Sequence, residues 1–215
     1  MANTEQLSSS SGRIAMPLRP ALEVVHKLRH EQLREAIVVT TMGSAREWPK
    51  LGSPHPLDFQ YLPSAMGHAP MLGLGFALAR PEREVVIFNG DGGMLMSLGC
   101  LVTVVAAGAK NLTIIVLDNG LYEVTGGQAT AGAAERATGG GSCDFAGFAQ
   151  AAGFHTVRRY TTLADWQASA AEVFAKPGPR FLQLFVEPVG AEYHLPAPSP
   201  MPERIAKFQA ALGVK

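Results

Sequence analysis

EVVIFNGDGGMLMSLGCLVTVVAAGAKNLTIIVLDNGLYEVTGGQ, residues 84–128, is the stretch whose reading decides the fold. Val85, Val86, Ile87 and Phe88 form a short continuous apolar run, the pattern of a strand buried on both faces. Gly90, Asp91, Gly92 and Gly93 are too glycine-rich to continue that strand and mark a tight turn. Apolar residues then fall at helical spacing over 94–108, with Gly108 as the helix stop. A second apolar, β-branched strand is predicted over 112–117, and Asp118-Asn119-Gly120 ends it. The stretch is one βαβ unit, expected to have a right-handed crossover.

Parallel strands bring both turns to the carboxyl edge of the sheet. Asp91 and Asn119 are far apart in sequence, yet this geometry predicts that they approach one another. One offers a carboxylate and the other an amide oxygen, hard ligands that suit Mg²⁺ or Ca²⁺. Gly92 and Gly93 open a helix, where free N–H groups and the helix dipole attract phosphate. A metal and a diphosphate could therefore be held at one point, in keeping with the rule that open α/β sheets bind ligands at the carboxyl ends of their strands. Two rivals fail on spacing. A dinucleotide fingerprint needs a glycine where Leu95 stands, and no GxxxxGK[ST] occurs. The remaining alternative is an ordinary βαβ turn with a solvated aspartate.

Around this unit the chain alternates strands and helices. Helices are predicted over 20–36, from about 65 to 78, over 144–152, 163–175 and 202–212, and strands over 36–40, 155–159 and 180–186. The pattern implies a three-layer α/β/α sandwich around a central, mainly parallel sheet. Residues 1–12 are Ser-rich and read as a disordered tail, leaving 13–215 as one domain. Segment 41–47 reads as a loop at the working edge, where the small residues Gly43 and Ser44 suit close approach to a phosphate. Segment 47–63 is a proline-spotted loop, and 129–142 is an Ala/Gly-rich loop suited to a mobile cover. Arg46 is expected to pair with Glu47, and His68 to be a hydrogen-bonded structural histidine. His26 and His30, one turn apart, read as solvated surface residues rather than metal ligands.

Eighteen basic residues balance eighteen acidic ones, so charge gives no case for nucleic acid or membrane binding. The apolar runs are far shorter than the ~20 residues of a membrane span, and MANTEQLSSSSGR lacks the apolar core of a secretory signal. Two cysteines, Cys100 and Cys143, suggest no disulfide framework and fit a cytoplasmic location.

Gly-Asp-Gly, a helix, a strand and then Asp-Asn resembles the thiamine-diphosphate signature, and the likeness extends over most of the chain. The resemblance implies that Asp91, the Asn119 side chain and the Leu121 carbonyl bind Mg²⁺, which bridges to the cofactor diphosphate, with Gly90, Gly92 and Gly93 at the turn. Asp118 stands at the first position of the signature's Asn pair, and the expected ligand is the second. Residues 40–47 are similar to the TTG-x-x-x-R-E stretch of phosphonopyruvate and sulfopyruvate decarboxylases, with Met42 in the glycine's position and Gly43 one place late. SAMGHA at 64–69 resembles the GSMGHA of phosphonopyruvate decarboxylases. It implies that Met66 props the two cofactor rings into a V, while the Met66 backbone and Ser64 carbonyl bond the aminopyrimidine. DNGLYEVTGGQ at 118–128 looks like the DNGAYGSTGNQ of the same enzymes, with Glu123 and Val124 in place of small residues, and backbone amides near Val124 complete the diphosphate cradle.

In that family a glutamate on a separate pyrimidine-binding domain protonates the cofactor, and this chain resembles the diphosphate half only. The resemblance therefore implies the β-type subunit of a two-subunit decarboxylase of a small anionic 2-oxo acid such as sulfopyruvate or phosphonopyruvate. It would work as a hetero-oligomer with an α-type subunit that carries the glutamate. A homo-oligomer in isolation is compatible with this. The alternatives are a subunit of an acetolactate-synthase- or transketolase-like carboligase, or a non-catalytic regulatory subunit that keeps the fold.

Overall fold

The computed structural model describes residues 15–33, 35–62, 65–133, 143–189 and 199–213. The expected tail at 1–12, most of the loop at 129–142 and Ser64 lie outside these. Six parallel strands form the central sheet in the order β2-β1-β3-β4-β8-β7: β1 (Ile37–Thr40), β2 (Asp58–Gln60), β3 (Val85–Gly90), β4 (Leu112–Asp118), β7 (Thr156–Tyr160) and β8 (Arg180–Phe185). A separate antiparallel pair, β5 (Leu121–Tyr122) and β6 (Gln128–Ala129), follows β4.

The continuous apolar runs are explained by burial on both faces of the sheet. Ile37, Val39, Val85, Ile87, Leu112, Ile114 and Val116 face one core, shared with α3 (Ala69–Ala79), α5 (Cys100–Ala107), α6 (Phe145–Ala152) and α8 (Met201–Ala211). Val38, Val86, Phe88, Ile115 and Leu117 face the other, shared with α1 (Leu18–Glu31) and α7 (Leu163–Ala175). Alternate residues of one strand thus enter opposite layers, and the three-layer sandwich follows.

Several local expectations needed correction. The apolar stretch 94–108 is not one helix: α4 (Asp91–Leu95) ends, a turn intervenes, and α5 begins at Cys100. The Ser97 hydroxyl donates to the Gly67 carbonyl, which ties the turn to the chain ahead of α3 and competes with helix continuation. Gly108 ends α5 in the left-handed conformation, as the sequence implied. The proline-spotted loop contains β2, which pairs with β1 at the sheet edge. Arg29 of α1 holds it there: the guanidinium donates to the Asp58 carboxylate, to the Ala36 carbonyl at 2.7 Å and to His55 Nδ1 at 2.8 Å. Long-range pairing of this kind leaves no mark in a three-residue strand.

The loop at 41–47 is a short helix, α2 (Met42–Glu47). Its turn is closed by the Ser44 hydroxyl, which accepts the Thr41 N–H at 3.0 Å and donates to the Thr41 carbonyl at 2.7 Å. Met42 enters it with φ of 47°, the left-handed region that favours glycine. This is the position at which the resembling decarboxylases carry glycine, so the backbone keeps the shape that the residue change made costly. Met42→Gly should therefore be more stable than Met42→Ala by about 1 kcal/mol, the reverse of the order at an ordinary helix position. Denaturant unfolding of the two variants checks this, and Ala equal to or above Gly would count against strain at Met42.

Candidate functional site

Strand order sets where a ligand can sit. From β1 the chain crosses to β2 on one side, and from β3 it crosses to β4 on the other, so the winding reverses between β1 and β3. The crevice at the carboxyl ends of two such strands is the switch point at which open α/β sheets bind ligands. A pocket lies there, walled by residues 41–44 after β1, by 89–93 at the end of β3, and by Asn119 and 121–125 after β4. Met66, Gly67 and Met96 complete it. The Thr41 hydroxyl donates to the Phe88 carbonyl at 2.9 Å and fixes the first wall to the second.

The pocket brings together Gly43, Ser44, Met66, Gly90, Asp91, Gly92, Gly93, Asn119, Leu121 and Val124, drawn from four separate segments. Of the residues singled out from the sequence, Ser64 alone lies outside the described residues. The Ser44 hydroxyl is engaged within its own turn. Met66 is 43% exposed, and its carbonyl meets His68 Nδ1 at 3.1 Å, so His68 is hydrogen-bonded as expected. Arg46 pairs with Glu47 at 3.1 Å, also as expected. Glu47 in addition holds Arg19 at 2.8 Å and Lys50 at 2.9 Å, and these hydrogen-bonded cations keep its carboxyl down at about 2 against the cost of its burial.

Three glycines of the turn have three different reasons. A Cβ on Gly92 would stand 2.5 Å from the Tyr122 ring, and one on Gly93 would stand 2.7 Å from Asn89 Oδ1. Both positions are closed by packing. A Cβ on Gly90 would meet nothing within 4 Å, and φ there is an ordinary −79°. Nothing in the chain itself demands glycine at 90, whereas a ligand lying against the backbone would.

Asp91 is buried, and its Oδ2 accepts the Gly120 N–H and the Thr130 hydroxyl, each at 3.1 Å. Burial, reinforced by the nearby charge of Asp118, raises its carboxyl to about 7 in spite of these bonds. Asp118 is itself buried and accepts from Gln183 Nε2 at 2.7 Å. Asn119 Oδ1 accepts the Leu121 N–H at 2.9 Å. On the pocket wall Asn89 Nδ2 is buried without a hydrogen-bond partner. A free donor, an open glycine wall and two neighbouring buried carboxylates suit an anion and a divalent cation together. The oxygens available to that cation are the Asp91 carboxylate, Asn119 Oδ1 and the Leu121 carbonyl. Sequence reasoning missed Thr130 and Tyr122, whose contacts with the turn are made only across the folded chain, and Asn89, which stands just ahead of the turn.

Residues 38–184 match the family model described as thiamine pyrophosphate enzyme, C-terminal TPP binding domain. A phosphonopyruvate decarboxylase of Streptomyces viridochromogenes is 35% identical over 208 residues, 93% of this chain and 49% of that protein. A sulfopyruvate decarboxylase subunit beta of Methanothermobacter thermautotrophicus is 38% identical over 132 residues, 61% of this chain and 64% of that protein. A solved structure from Mycobacterium smegmatis, described as a thiamin diphosphate-dependent enzyme, shares the fold with a TM-score of 0.62 at 22% identity, over 80% of this chain and 32% of that one. The chain spans about half the length of the phosphonopyruvate decarboxylase.

The raised carboxyl of Asp91 makes a signed prediction for the metal-free chain. Its ordinary value is 3.8 and its folded value about 7. Folding is therefore opposed as the pH rises from about 4, and the full penalty, on the order of 4 kcal/mol, is in force above about 7. Asp91→Asn should be more stable than the parent at pH 8, with the difference vanishing towards pH 4. Unfolding in chelator across that range checks it. An Asn variant with no advantage at pH 8 would show that the ionised carboxylate is not strained.

Proposed function

The chain belongs to the thiamine pyrophosphate enzymes, through their C-terminal cofactor-binding domain, and from that premise we propose that it is the β-type subunit of a two-subunit, cytoplasmic decarboxylase of a small anionic 2-oxo acid, of the sulfopyruvate or phosphonopyruvate kind. The observation that carries this reading is the switch-point pocket, with the Asp91 carboxylate and Asn119 oxygen beside a glycine wall that has room for a ligand. Asp91, Asn119 and the Leu121 carbonyl would hold Mg²⁺. Gly90, Gly92, Gly93, Gly43, Ser44 and Val124 would cradle the diphosphate with their backbone. Met66, half-exposed at the pocket mouth, would prop the cofactor rings, with Ser64 beside it. Thiamine diphosphate, when bound, supplies the electron sink for decarboxylation.

Relatives named phosphonopyruvate decarboxylase and sulfopyruvate decarboxylase subunit beta support this substrate class. Two observations support a second polypeptide. One is the subunit name carried by a relative. The other is the outer face of α3 and α5 next to the pocket mouth. No charged residue occurs from 69 to 79 or from 92 to 109, yet Met71, Leu78 and Val102 are exposed there. A helix apolar all round belongs in an interior, and exposed apolar patches mark association surfaces. The partner would bring the pyrimidine-binding domain and its proton-donating glutamate. Cys100 is a buried free thiol, in keeping with a reducing compartment.

The purified chain given thiamine diphosphate, Mg²⁺ and sulfopyruvate or phosphonopyruvate should release almost no carbon dioxide, because a positioned proton donor is worth about 10²- to 10⁴-fold. Adding the α-type subunit should restore turnover, and robust turnover by the chain alone would refute the two-subunit reading. Gly90→Ala tests the cradle separately. It should fold like the parent and bind the cofactor roughly tenfold more weakly, a change of about 1.4 kcal/mol by calorimetry. Unchanged affinity would remove Gly90 from the diphosphate site.

A further inference from the structure

One imidazole stands between α1 and the edge strand β2. His55 Nδ1 lies 2.8 Å from the Arg29 guanidinium and 3.1 Å from the Leu57 nitrogen. A guanidinium and a backbone N–H can only donate. Nδ1 therefore accepts from both, the ring proton sits on Nε2, and His55 is held neutral. The backbone closes the same turn: the Asp58 N–H donates to the His55 carbonyl at 2.9 Å, and the His55 N–H to Asp58 Oδ2 at 3.3 Å. Arg29 is 2% exposed and its Nε has no partner. Its bonds to Asp58, Ala36 and His55 are what satisfy the buried guanidinium.

A proton taken up by His55 must go to Nδ1, the atom that both donors occupy. It breaks both bonds and sets a second cation against a buried one. The charges that face the ring come from several elements. Arg29 and His30 of α1 oppose the proton, while Asp58 and Glu35 favour it. His26 of α1 and Arg204 and Lys207 of α8 line the same cleft. Burial and the Arg29 charge prevail and hold the imidazole below its ordinary 6.5. We propose that His55 is an acid-sensitive latch on β2: a proton on Nδ1 parts the ring from Arg29 and Leu57 and loosens the strand from the sheet edge. The latch is fully closed above 6.5, and its contribution is lost as the pH falls from there towards the lower folded value. Two ties carry the loosening to the pocket. Gln60 of β2 donates through Nε2 to the Ala45 carbonyl of α2 at 2.9 Å. The Tyr61 N–H, next in the chain, donates to the Thr40 carbonyl at 2.9 Å, on the path to Met66 and Gly67 at the pocket mouth. The inference does not depend on which ligand the pocket takes.

The test is amide hydrogen exchange of the full chain, resolved by NMR at about pH 7.5 and about pH 5.5 and corrected for intrinsic rates. It compares the parent with His55→Asn and His55→Gln. The asparagine oxygen stands where Nδ1 stood and takes no proton in this range, whereas the glutamine oxygen reaches for the place of Nε2. In the parent, protection of the Leu57 and Tyr61 N–H groups should fall at the lower pH by about tenfold relative to β3 and β4, the ratio that one pH unit below 6.5 permits. The asparagine variant should keep its protection within about twofold between the two pH values, and the glutamine variant should be poorly protected at both. His26 is present in all three chains, so the difference between parent and asparagine variant belongs to His55. Equal protection of the parent at both pH values, or an asparagine variant as acid-sensitive as the parent, overturns the inference. The nitrogen shifts of the parent's own imidazole test it without any variant. The Nε2–H tautomer with a midpoint below 6.5 is expected, and an Nδ1–H tautomer or a midpoint at or above 6.5 overturns the inference equally.

Discussion

Asp91 stands out of water at the end of β3, and the same oxygen of its carboxylate accepts the Gly120 N–H and the Thr130 hydroxyl. Those two bonds join the turn after β3 to the turn after β4 and to the residue that follows β6. The carboxyl edge is thereby one piece. The bonds do not balance the burial, which, reinforced by the nearby Asp118 charge, pushes the Asp91 carboxyl up to about 7. Two neighbouring buried carboxylates are a poor choice for stability and a good one for a cation site, since a divalent ion offsets both their repulsion and the desolvation penalty.

The opposite edge of the sheet is treated differently. At the amino ends of the strands Arg180 donates to both oxygens of Glu84, at 2.8 and 3.2 Å, and to the Thr113 hydroxyl at 3.0 Å. Asn111 Nδ2 serves the carbonyls of Ala77, Arg80 and Arg83 at 2.7–3.1 Å. Such clamps hold loops. At the carboxyl ends, by contrast, Asn89 Nδ2 and the Thr40 hydroxyl are buried and unpartnered, and the Gly90 wall is open. Unpartnered donors beside an open turn thus lie at the carboxyl edge, the edge at which open α/β sheets bind ligands.

Glycine content alone does not locate such a site. Gly92 and Gly93 are required by Tyr122 and Asn89, and Gly73 by Ile87, whose Cδ1 would lie 2.2 Å from an added Cβ. These are packing glycines even though two of them belong to the motif. Gly90 is the one in the turn that packing does not explain. Met42 makes the complementary point: the left-handed backbone persists without the glycine that would make it easy, so the shape of that turn is held by the bonds around it, from Ser44 and from Thr41 to Phe88.

The sequence by itself determined the layered α/β architecture, because continuous runs such as 85–88 and 112–117 have a stable place only between two helical layers. It also brought Asp91 and Asn119 to one pocket, because parallel strands must deliver their turns to one edge, and it located α7 at Leu163–Ala175 to the residue. Tertiary structure decided what depends on distant neighbours. β2 is a strand because Arg29 and β1 hold it, α2 is a helix because Ser44 and Phe88 engage Thr41, and the helix expected over 94–108 is broken because Ser97 bonds to Gly67. Thr130 joined the site through a contact that no local spacing encodes. Periodicity records which face of an element is buried. It does not record which remote side chain satisfies a particular polar atom, and at the carboxyl edge of this sheet that is what sets the chemistry.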